Sequence, residues 1–309
     1  MNSIESFVEA QVAAKSASAD EDLPAYSIFH EPWWLDIATD GQWTEQVVED
    51  HGSVARLRYP LQLSNGQLIS KMPSLVRTLG PEFFGLSGKP VTMVRRRLAL
   101  TEKLAKRLSG LAYFEHVFDP RVEEAAMFTR RRDFNVTLHY AYRANPGVSE
   151  EEGWSRMTDK VRNHIRTAAR QFQVGTFGDP GLFCDFYDYC LREKPNAHGS
   201  QRMRRLVTAI LTRGSGQVLV AIDGGGAWVA ALLVVWDADA VRNFLAARNP
   251  DRAGGGAVSL LMSHAMRIAT ERGVAFDFDG AGNRGQLNFL SGFGANLVQR
   301  FVVWRPLQR

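Results

Sequence analysis

The stretch QVLVAIDGGGAWVAALLVVWDADAVRNFLAARNPDRAGGGAVSLLMSHAMRIA, residues 217–269, decides the fold. It contains three apolar runs of strand length, which the turns DGGG and DAD join. Turns this short predict that successive strands lie antiparallel. A glycine-rich loop follows and opens a helix whose apolar residues recur at helical spacing. The stretch therefore predicts three antiparallel strands that lead through a loop into an amphipathic helix.

Similar patterns flank this stretch on both sides. In the second half, further helices are predicted near 154–173, 180–193 and 200–213, and strands over 274–279 and 296–305 with a short helical piece between them. In the first half, strands are predicted near 44–50, 53–63, 67–76 and 111–118 and from Phe134, and helices near 92–109 and 121–132. The order of strands, helix, strand, helix, strand thus occurs twice. This order predicts a mixed α+β protein with two similar halves.

The turn-rich, acidic stretch ANPGVSEEEG, residues 144–153, predicts the boundary between these halves. We expect a flexible segment over 1–24, a first half over 25–145 and a second half over 146–309. The N-terminal segment lacks the basic region and apolar core of a signal peptide. The longest apolar run, AWVAALLVVW, is too short to span a bilayer. We therefore expect a cytoplasmic protein without a membrane span.

Composition narrows the choice of partners. The chain has 37 basic and 33 acidic residues, a net charge of +4, and thirty of the basic residues are arginines. The planar guanidinium suits phosphate and carboxylate, so an anionic partner would explain the excess of arginine over lysine. A GC-rich genome would also explain it. A net charge this small does not favour nucleic acid. The seven histidines and two cysteines never occur at metal-ligand spacings, so no metal is expected.

The first candidate site is the loop NPDRAGGGA, residues 249–257. Its glycines, Gly254, Gly255 and Gly256, allow backbone amides to converge, and the following helix adds N–H groups and the positive end of its dipole. Arg252 at the edge of the loop would add a guanidinium. The loop is either an anion site, usually for phosphate, or a flexible connection from strand to helix. It matches neither a P-loop nor a GxGxxG motif.

The second candidate lies in the predicted helix DKVRNHIRTAARQFQ, residues 159–173. Helical spacing predicts a buried side made of Val161, Ile165, Ala168, Ala169 and Phe172. Another side carries three arginines four residues apart, which are Arg162, Arg166 and Arg170. This row either binds a phosphate or carboxylate or is a solvated face of the helix.

The third candidate is the strand FDFD that begins at Phe276. Its phenylalanines point into a core, while Asp277 and Asp279 share the opposite face. These carboxylates either face solvent or line a cleft in which one of them accepts a proton from an amine or hydroxyl nucleophile. The loop GAGNRG, residues 280–285, follows at the end of the strand, where ligands often bind.

Three segments together resemble the FemAB-like acyltransferases, which have GNAT-type halves. SIFHEPWWLDIA (27–38) resembles the opening F-x-x-P-x-W of this family, and KVRNHIRTA (160–168) resembles its K-x-R-N-x-I-R helix. FDFDGAGNRGQLNFLSGFGA (276–295) is similar to its closing strand, loop and F-G-A segment. The resemblance runs from about Tyr26 to the C-terminus. It implies two GNAT-like halves, each a mixed, largely antiparallel sheet flanked by helices, with the active cleft associated with the second half and its junction with the first.

The resemblance also implies a mechanism. In GNAT enzymes a loop of pattern Q/R-x-x-G-x-G/A binds the pyrophosphate of acyl-CoA, and RAGGGA matches it with Arg252, Gly255 and Ala257. The implied mechanism is direct acyl transfer, in which Asp277 or Asp279 takes the proton of the acceptor amine. The residues implied beside the pantetheine are Phe244, Leu245 and Ala246. The residues implied for the acceptor are Lys160, Arg162, Asn163, Arg166 and Asn283.

The expected function is therefore acyl-CoA-dependent N-acyl transfer. An acetyl or longer acyl group would pass to the amine of a small, anionic acceptor such as an amino sugar, a sugar nucleotide or an amino acid. The first alternative is a FemABX-type aminoacyl-tRNA-dependent transferase that acts in peptidoglycan or peptide-antibiotic synthesis. The sequence shows neither the charged helical hairpin of several such enzymes nor a strongly basic composition. The second alternative is a non-catalytic binding protein with a GNAT fold, which the intact RAGGGA loop disfavours.

Overall fold

The computed structural model describes residues 23–130, 133–193 and 196–307. The predicted flexible segment, residues 1–24, lies outside these ranges except for its last two residues. The described chain forms two units, each with its own core. One unit contains the described residues through His139 together with those from Gln299 onward, and the other is Tyr140–Val298.

Strands and helices follow one another along the chain in the predicted order, except that short strands over 82–84 and 173–177 were not predicted and the helix predicted near 121–132 is a 3₁₀ helix. The strands are β1 (Trp43–Asp50), β2 (Ser53–Pro60), β3 (Gln62–Ser64), β4 (Gln67–Lys71), β5 (Glu82–Phe84), β6 (Tyr113–Val117), β7 (Asn135–Ala144), β8 (Gln173–Phe177), β9 (Gly216–Ile222), β10 (Trp228–Trp236), β11 (Ala240–Arg248), β12 (Ala275–Asp279) and β13 (Asn296–Arg305). The α-helices are α1 (Pro32–Ala38), α2 (Pro90–Arg107), α3 (Glu150–Arg156), α4 (Asp159–Gln171), α5 (Pro180–Cys190), α6 (Ser200–Thr212), α7 (Ala257–Arg272) and α8 (Arg284–Ser291). Short 3₁₀ helices cover Ile28–His30, Leu108–Gly110 and Glu123–Arg130.

The first unit contains two small sheets and helix α2. Strands β1, β2 and β5 pair antiparallel, while β3, β4, β6 and β13 lie side by side in that order. The pairing is antiparallel except between β4 and β6. Asn65 and Gly66 have φ values of 50° and 74°, as a type I′ turn requires, so the predicted SNG turn joins β3 to β4. Because β13 pairs with β6, the last strand belongs to this unit from Gln299 onward.

The second unit contains one sheet in which the strands follow the order β7, β12, β11, β10, β9, β8. Every neighbouring pair is antiparallel except β11 and β12, which α7 connects. Strand β10 is buried from Val229 to Val235, as expected of an apolar central strand. The predicted fold class, a mixed α+β protein whose sheets are flanked by helices, is confirmed.

The helix predicted over 154–173 is two helices, α3 and α4, because Thr158 interrupts it. The Thr158 backbone is extended, and its hydroxyl accepts a hydrogen bond from Val161 N at 3.5 Å, as an N-cap residue does. Helix α4 packs against α7 with four of the five residues predicted to be buried, but Ala169 is exposed. The predicted helical spacing is therefore right, but the buried side of α4 is narrower than predicted.

We expect the stability of the first unit to fall in acid, because its core contains the buried side chain of His116. The side chain is fully buried, its Nε2 lies 2.8 Å from Ser70 Oγ, and burial, with nearby His30, lowers its pKa to about 3. An unfolded histidine titrates near pH 6.5, so between these values only the unfolded chain binds the proton, and stability falls as pH falls. We expect His116→Gln to reduce the slope of unfolding free energy between pH 6.5 and 4 by about 1.4 kcal/mol per pH unit. Urea unfolding at several pH values tests this, and an unchanged slope would contradict it; the exposed His139→Gln is the control.

Candidate active site

The glycine-rich loop ends at the N-terminus of α7. Gly256 is the N-cap residue, with a φ of 81°, and a Cβ there would lie 2.4 Å from the His164 carbonyl oxygen of α4. Only glycine therefore fits this position. Because the N-cap residue has no side chain, it cannot cap the first-turn amides of the 16-residue helix. These amides carry the positive end of the helix dipole, which suits an anion.

Arg252 is held at the edge of this loop by Asp223, in the turn between β9 and β10. One guanidinium nitrogen, Nη1, pairs with Asp223 Oδ2, and 45% of the arginine side chain is exposed. Asp223 Oδ1 accepts hydrogen bonds from the backbone N–H groups of Ala227 and Gly225, each at 3.0 Å. These hydrogen bonds, together with the nearby Arg252 charge, hold the pKa of the Asp223 carboxyl below its usual value. Asp223 is therefore a fixed anion that orients the arginine beside the loop.

Strands β11 and β12 separate close to the same loop. Their parallel ladder joins only Ala240–Arg242 to Ala275–Asp277, although β11 continues to Arg248. At the next position the backbone pairing stops. The Asn243 side chain bridges the two strands there, because its Nδ2 donates to the Phe278 carbonyl at 3.2 Å. Both strands run toward the edge of the sheet at which α7 begins. The cleft between them therefore opens at their carboxyl ends, where α/β sheets usually bind ligands.

The residues predicted beside the pantetheine lie on β11 just past this point. A β-bulge in the pairing of β10 with β11 occurs between Leu233 and Val234, opposite this segment. The side chains of Phe244 and Leu245 are buried, and Ala246 is exposed. Bulges often lie beside active sites because they redirect a strand locally. Here the backbone of β11, rather than its apolar side chains, is the surface that an extended ligand would contact.

The two predicted catalytic carboxylates lie in different environments. Asp277 is 3% exposed and stands in register with Arg143 of β7 and Arg242 of β11. Its Oδ1 accepts a hydrogen bond from the Asp279 backbone N–H at 2.8 Å. Asp279, the last residue of β12, is partly exposed and has a φ of 69°. Unusual backbone geometry of this kind concentrates at functional sites. Asp277 therefore fixes the backbone of Asp279 at the end of β12.

The arginines of α4 contact the preceding helix. Arg162 donates to the Trp154 and Ser155 carbonyls at 3.4 and 3.2 Å, and its guanidinium also pairs with Asp159. The Arg166 guanidinium lies 5.2 Å from the centre of a Trp154 ring, a cation–π geometry. Both residues therefore stabilise the end of α3. The other predicted acceptor residues of this helix, Lys160 and Asn163, are exposed.

Segments that are distant in sequence meet at the start of α4. Thr158 N donates to the Gly292 carbonyl at 2.9 Å. A Cβ on Gly294 would lie 2.3 Å from the Arg156 carbonyl oxygen, so the GFGA segment contacts the chain directly before α4. Asn283, the remaining predicted site residue, is the N-cap of α8 and accepts a hydrogen bond from Gln286 N at 2.9 Å.

The sequence did not single out Asn243 or Asp223. Asn243 is a polar residue inside an apolar strand, and this was the signal that could have identified it. Asp223 begins an ordinary DGGG turn, and only the fold brings its carboxylate beside Arg252. The structure thus places Arg252, the three glycines, the β11 backbone and Asp279 in one unit, around the carboxyl ends of β11 and β12.

Two features are absent from residues 23–130, 133–193 and 196–307. There, none of the helices is long and apolar enough to cross a membrane. In the same residues, histidine, cysteine, aspartate and glutamate side chains form no cluster of three or more that would hold a metal ion.

Comparisons with known proteins agree with this geometry. Residues 155–285 match the model of the acetyltransferase (GNAT) domain. No curated protein sequence matches the chain. The solved structure of FemX superposes with a TM-score of 0.63 and 11% identity, over 98% of this chain and 96% of FemX. L-PGS from Bacillus licheniformis superposes with a TM-score of 0.52 and 12% identity, over 85% of this chain and 84% of L-PGS.

The matched domain contains the glycine-rich loop, α7 and the separating strands β11 and β12. The superposition on FemX extends the similarity in fold to nearly the whole chain. Residues 155–285 therefore form a GNAT-type acetyltransferase domain, and the chain as a whole has the fold of FemX.

Proposed function

We propose that the protein transfers an acyl group from acyl-CoA to the amine of a small, anionic acceptor. One observation carries this proposal: the α7 N-terminus behind Gly254–Gly256 opens at the same edge of the sheet at which β11 and β12 separate. The amides and Arg252 would bind the donor phosphates. The extended pantetheine arm would lie along the backbone of β11, beside Phe244, Leu245 and Ala246.

The chemistry needs one base and one stabilised oxyanion. The acceptor nitrogen attacks the thioester carbonyl carbon, so that a C–N bond forms, the C–S bond breaks and the sulfur leaves with the electron pair. A backbone N–H of β11 stabilises the oxyanion. Asp279 takes the amine proton, because it lies at the open end of β12 while Asp277 is buried behind it.

For the acceptor we propose the exposed side of α4. This helix contacts the donor loop directly, because the His164 carbonyl lies against Gly256. Lys160 and Arg166 place positive charge on its exposed surface, and Asn163 adds an amide. An acceptor with a carboxylate or phosphate would therefore be held by α4, next to the donor loop.

A second donor follows from the fold. Two of the structures that superpose on this chain are FemX and L-PGS. Enzymes of the FemABX type, as the resemblance implies, take aminoacyl-tRNA. In that case the same loop would bind phosphates at the 3′ end of the tRNA. The cytoplasmic location stays a prediction from the sequence in either case.

A charge placed at Gly255 tests the donor site. A Cβ there meets nothing within 4 Å among the described residues, so Gly255→Asp adds a carboxylate to the loop without a clash. We expect it to weaken acetyl-CoA binding at least about tenfold, since one added negative charge repels the phosphates. Isothermal titration calorimetry and thermal stabilisation by acetyl-CoA measure this effect.

Two matched variants separate charge from shape and position. Gly255→Asn has the shape of the test variant without its charge and should bind acetyl-CoA almost as the parent protein does. Gly178→Asp adds the same charge, again without contacts within 4 Å in the described chain, at the far end of β8 from the Arg252–Asp223 pair. If the parent protein binds no acyl-CoA but does bind aminoacyl-tRNA, the donor is aminoacyl-tRNA and not acyl-CoA.

A further inference from the structure

A groove lined by aromatic side chains adjoins the donor loop in the second unit. Its volume is about 580 Å³, within the range of small-molecule sites. It is lined by Phe186, Tyr189, Trp228, Asn249, Asp251 and Arg252. Arg252 is shared between this groove and the loop, so a ligand bound through its phosphates at the loop would reach the groove with the adjacent part of the molecule.

The ring of Tyr189 is held in place from two sides. Its hydroxyl donates to Asp251, and the Arg192 guanidinium lies 4.9 Å from the centre of the ring. Arg192 in turn binds both oxygens of Asp251, at 2.9 and 2.6 Å. Although this ring is fixed, 46% of Tyr189 is exposed. A fixed, exposed aromatic ring is a surface for stacking, because little conformational freedom is lost when a ligand binds.

Deeper in the groove, two more aromatic rings are in contact. The rings of Phe186 and Trp228 pack edge to face with their centres 5.4 Å apart. Aromatic side chains beside a guanidinium and helix amides form the combination that binds a nucleotide: rings stack on the base, while the cation and amides bind the phosphates.

We propose that this groove binds the adenine of the acyl donor, with Tyr189 as its principal stacking residue. The proposal rests on the donor site proposed above. Adenosine is the chemistry that both candidate donors share, since CoA contains it next to its phosphates and every tRNA ends in it. Tyr189 therefore contributes to donor affinity whichever donor is used, and the two sources can be separated by experiment.

The test compares probes with and without the base. By calorimetry, Tyr189→Ala should weaken binding of CoA and of adenosine 3′,5′-bisphosphate about tenfold, the usual effect of one lost stacking contact. It should leave the affinity for 4′-phosphopantetheine, which lacks adenine, unchanged. Tyr189→Phe keeps the ring and should bind CoA within about twofold of the parent protein. Leu182→Ala, at another exposed position of α5, is the control for altering the helix.

The outcomes distinguish this proposal from the donor proposal. If Tyr189→Ala binds CoA as well as the parent protein does, the groove assignment is overturned while the CoA site stands. If the parent protein binds neither CoA nor the bisphosphate, a short RNA ending in CCA is compared with one lacking the terminal adenosine. Binding that needs this adenosine and falls in Tyr189→Ala supports the groove and transfers the donor role to tRNA. RNA binding that depends neither on the terminal adenosine nor on the Tyr189 ring overturns the groove assignment.

Discussion

Asp279→Asn will lower kcat by about 10²–10⁴-fold, the usual contribution of a general base. Asparagine has the same shape, and it tolerates the positive φ of 69° at this position, so the fold should be unaffected. In the proposed mechanism, the substitution removes the group that takes a proton from the acceptor amine. Release of free thiol from acetyl-CoA, with a panel of amino acids and amino-sugar phosphates as acceptors, gives kcat and KM. The melting temperature and the affinity for acetyl-CoA should match those of the parent protein.

Asp277→Asn is the matched comparison for this prediction. It removes a buried carboxylate that stands between Arg143 and Arg242 in the strand register, so we expect mainly a lower melting temperature. An Asp279→Asn enzyme that retains the kcat of the parent protein would exclude Asp279 as the base. A loss of kcat confined to Asp277→Asn, at unchanged stability, would assign the role to Asp277 instead.

Gly256→Ala will destabilise the protein by about 2–5 kcal/mol and will abolish measurable binding of the donor. The left-handed backbone alone costs a non-glycine residue about 1–2 kcal/mol. Contact with the His164 carbonyl oxygen adds an overpacking cost of about 1–3 kcal/mol, because either α4 or α7 must move. Movement of α7 displaces the amides that would bind the donor phosphates. Chemical denaturation and calorimetry with acetyl-CoA measure the two effects separately.

Two other glycines make this prediction specific. Gly273, at the opposite end of α7, has a φ of 70°, but a Cβ there would meet no atom of the described residues within 4 Å. Gly273→Ala should therefore show the backbone cost without loss of binding. Gly255→Ala has neither problem and should resemble the parent protein. If Gly256→Ala binds acetyl-CoA normally, the phosphates do not bind at this loop.

Much of the fold follows from local pattern. The run from β9 to α7 is predictable because each strand is apolar, each turn is short and the loop before the helix is rich in glycine. The division of the long predicted helix into α3 and α4 is harder to predict. Thr158 is a good N-cap residue, but its extended conformation also depends on the Gly292 carbonyl, far along the chain. The short strands β5 and β8 were missed, because three to five residues carry little periodicity.

Some residues of the candidate site could likewise be predicted from the sequence, and others could not. Gly254–Gly256 and Arg252 are visible in the sequence because a glycine-rich strand-to-helix loop has a known physical use. The roles of Arg162 and Arg166 were not predictable, since spacing along a helix cannot show that carbonyls and an indole ring of α3 occupy their guanidinium groups. The difference between Asp277 and Asp279 depends on burial at the end of one strand, which alternation alone does not give.

The position of β13 has a consequence for how the protein is made. Most of the first unit precedes the second unit in the chain, yet its sheet needs β13 beside β6, and Arg305 donates to the Leu108 carbonyl from 197 residues away. The second unit, Tyr140–Val298, is complete in the emerging chain before the part of β13 that belongs to the first unit, from Gln299 onward, has been made. Long-range pairing of this kind is slow, because a long loop must close before any contact forms. During synthesis, therefore, we expect the second unit to fold before the first, whose sheet keeps an unpaired strand edge until β13 has been made.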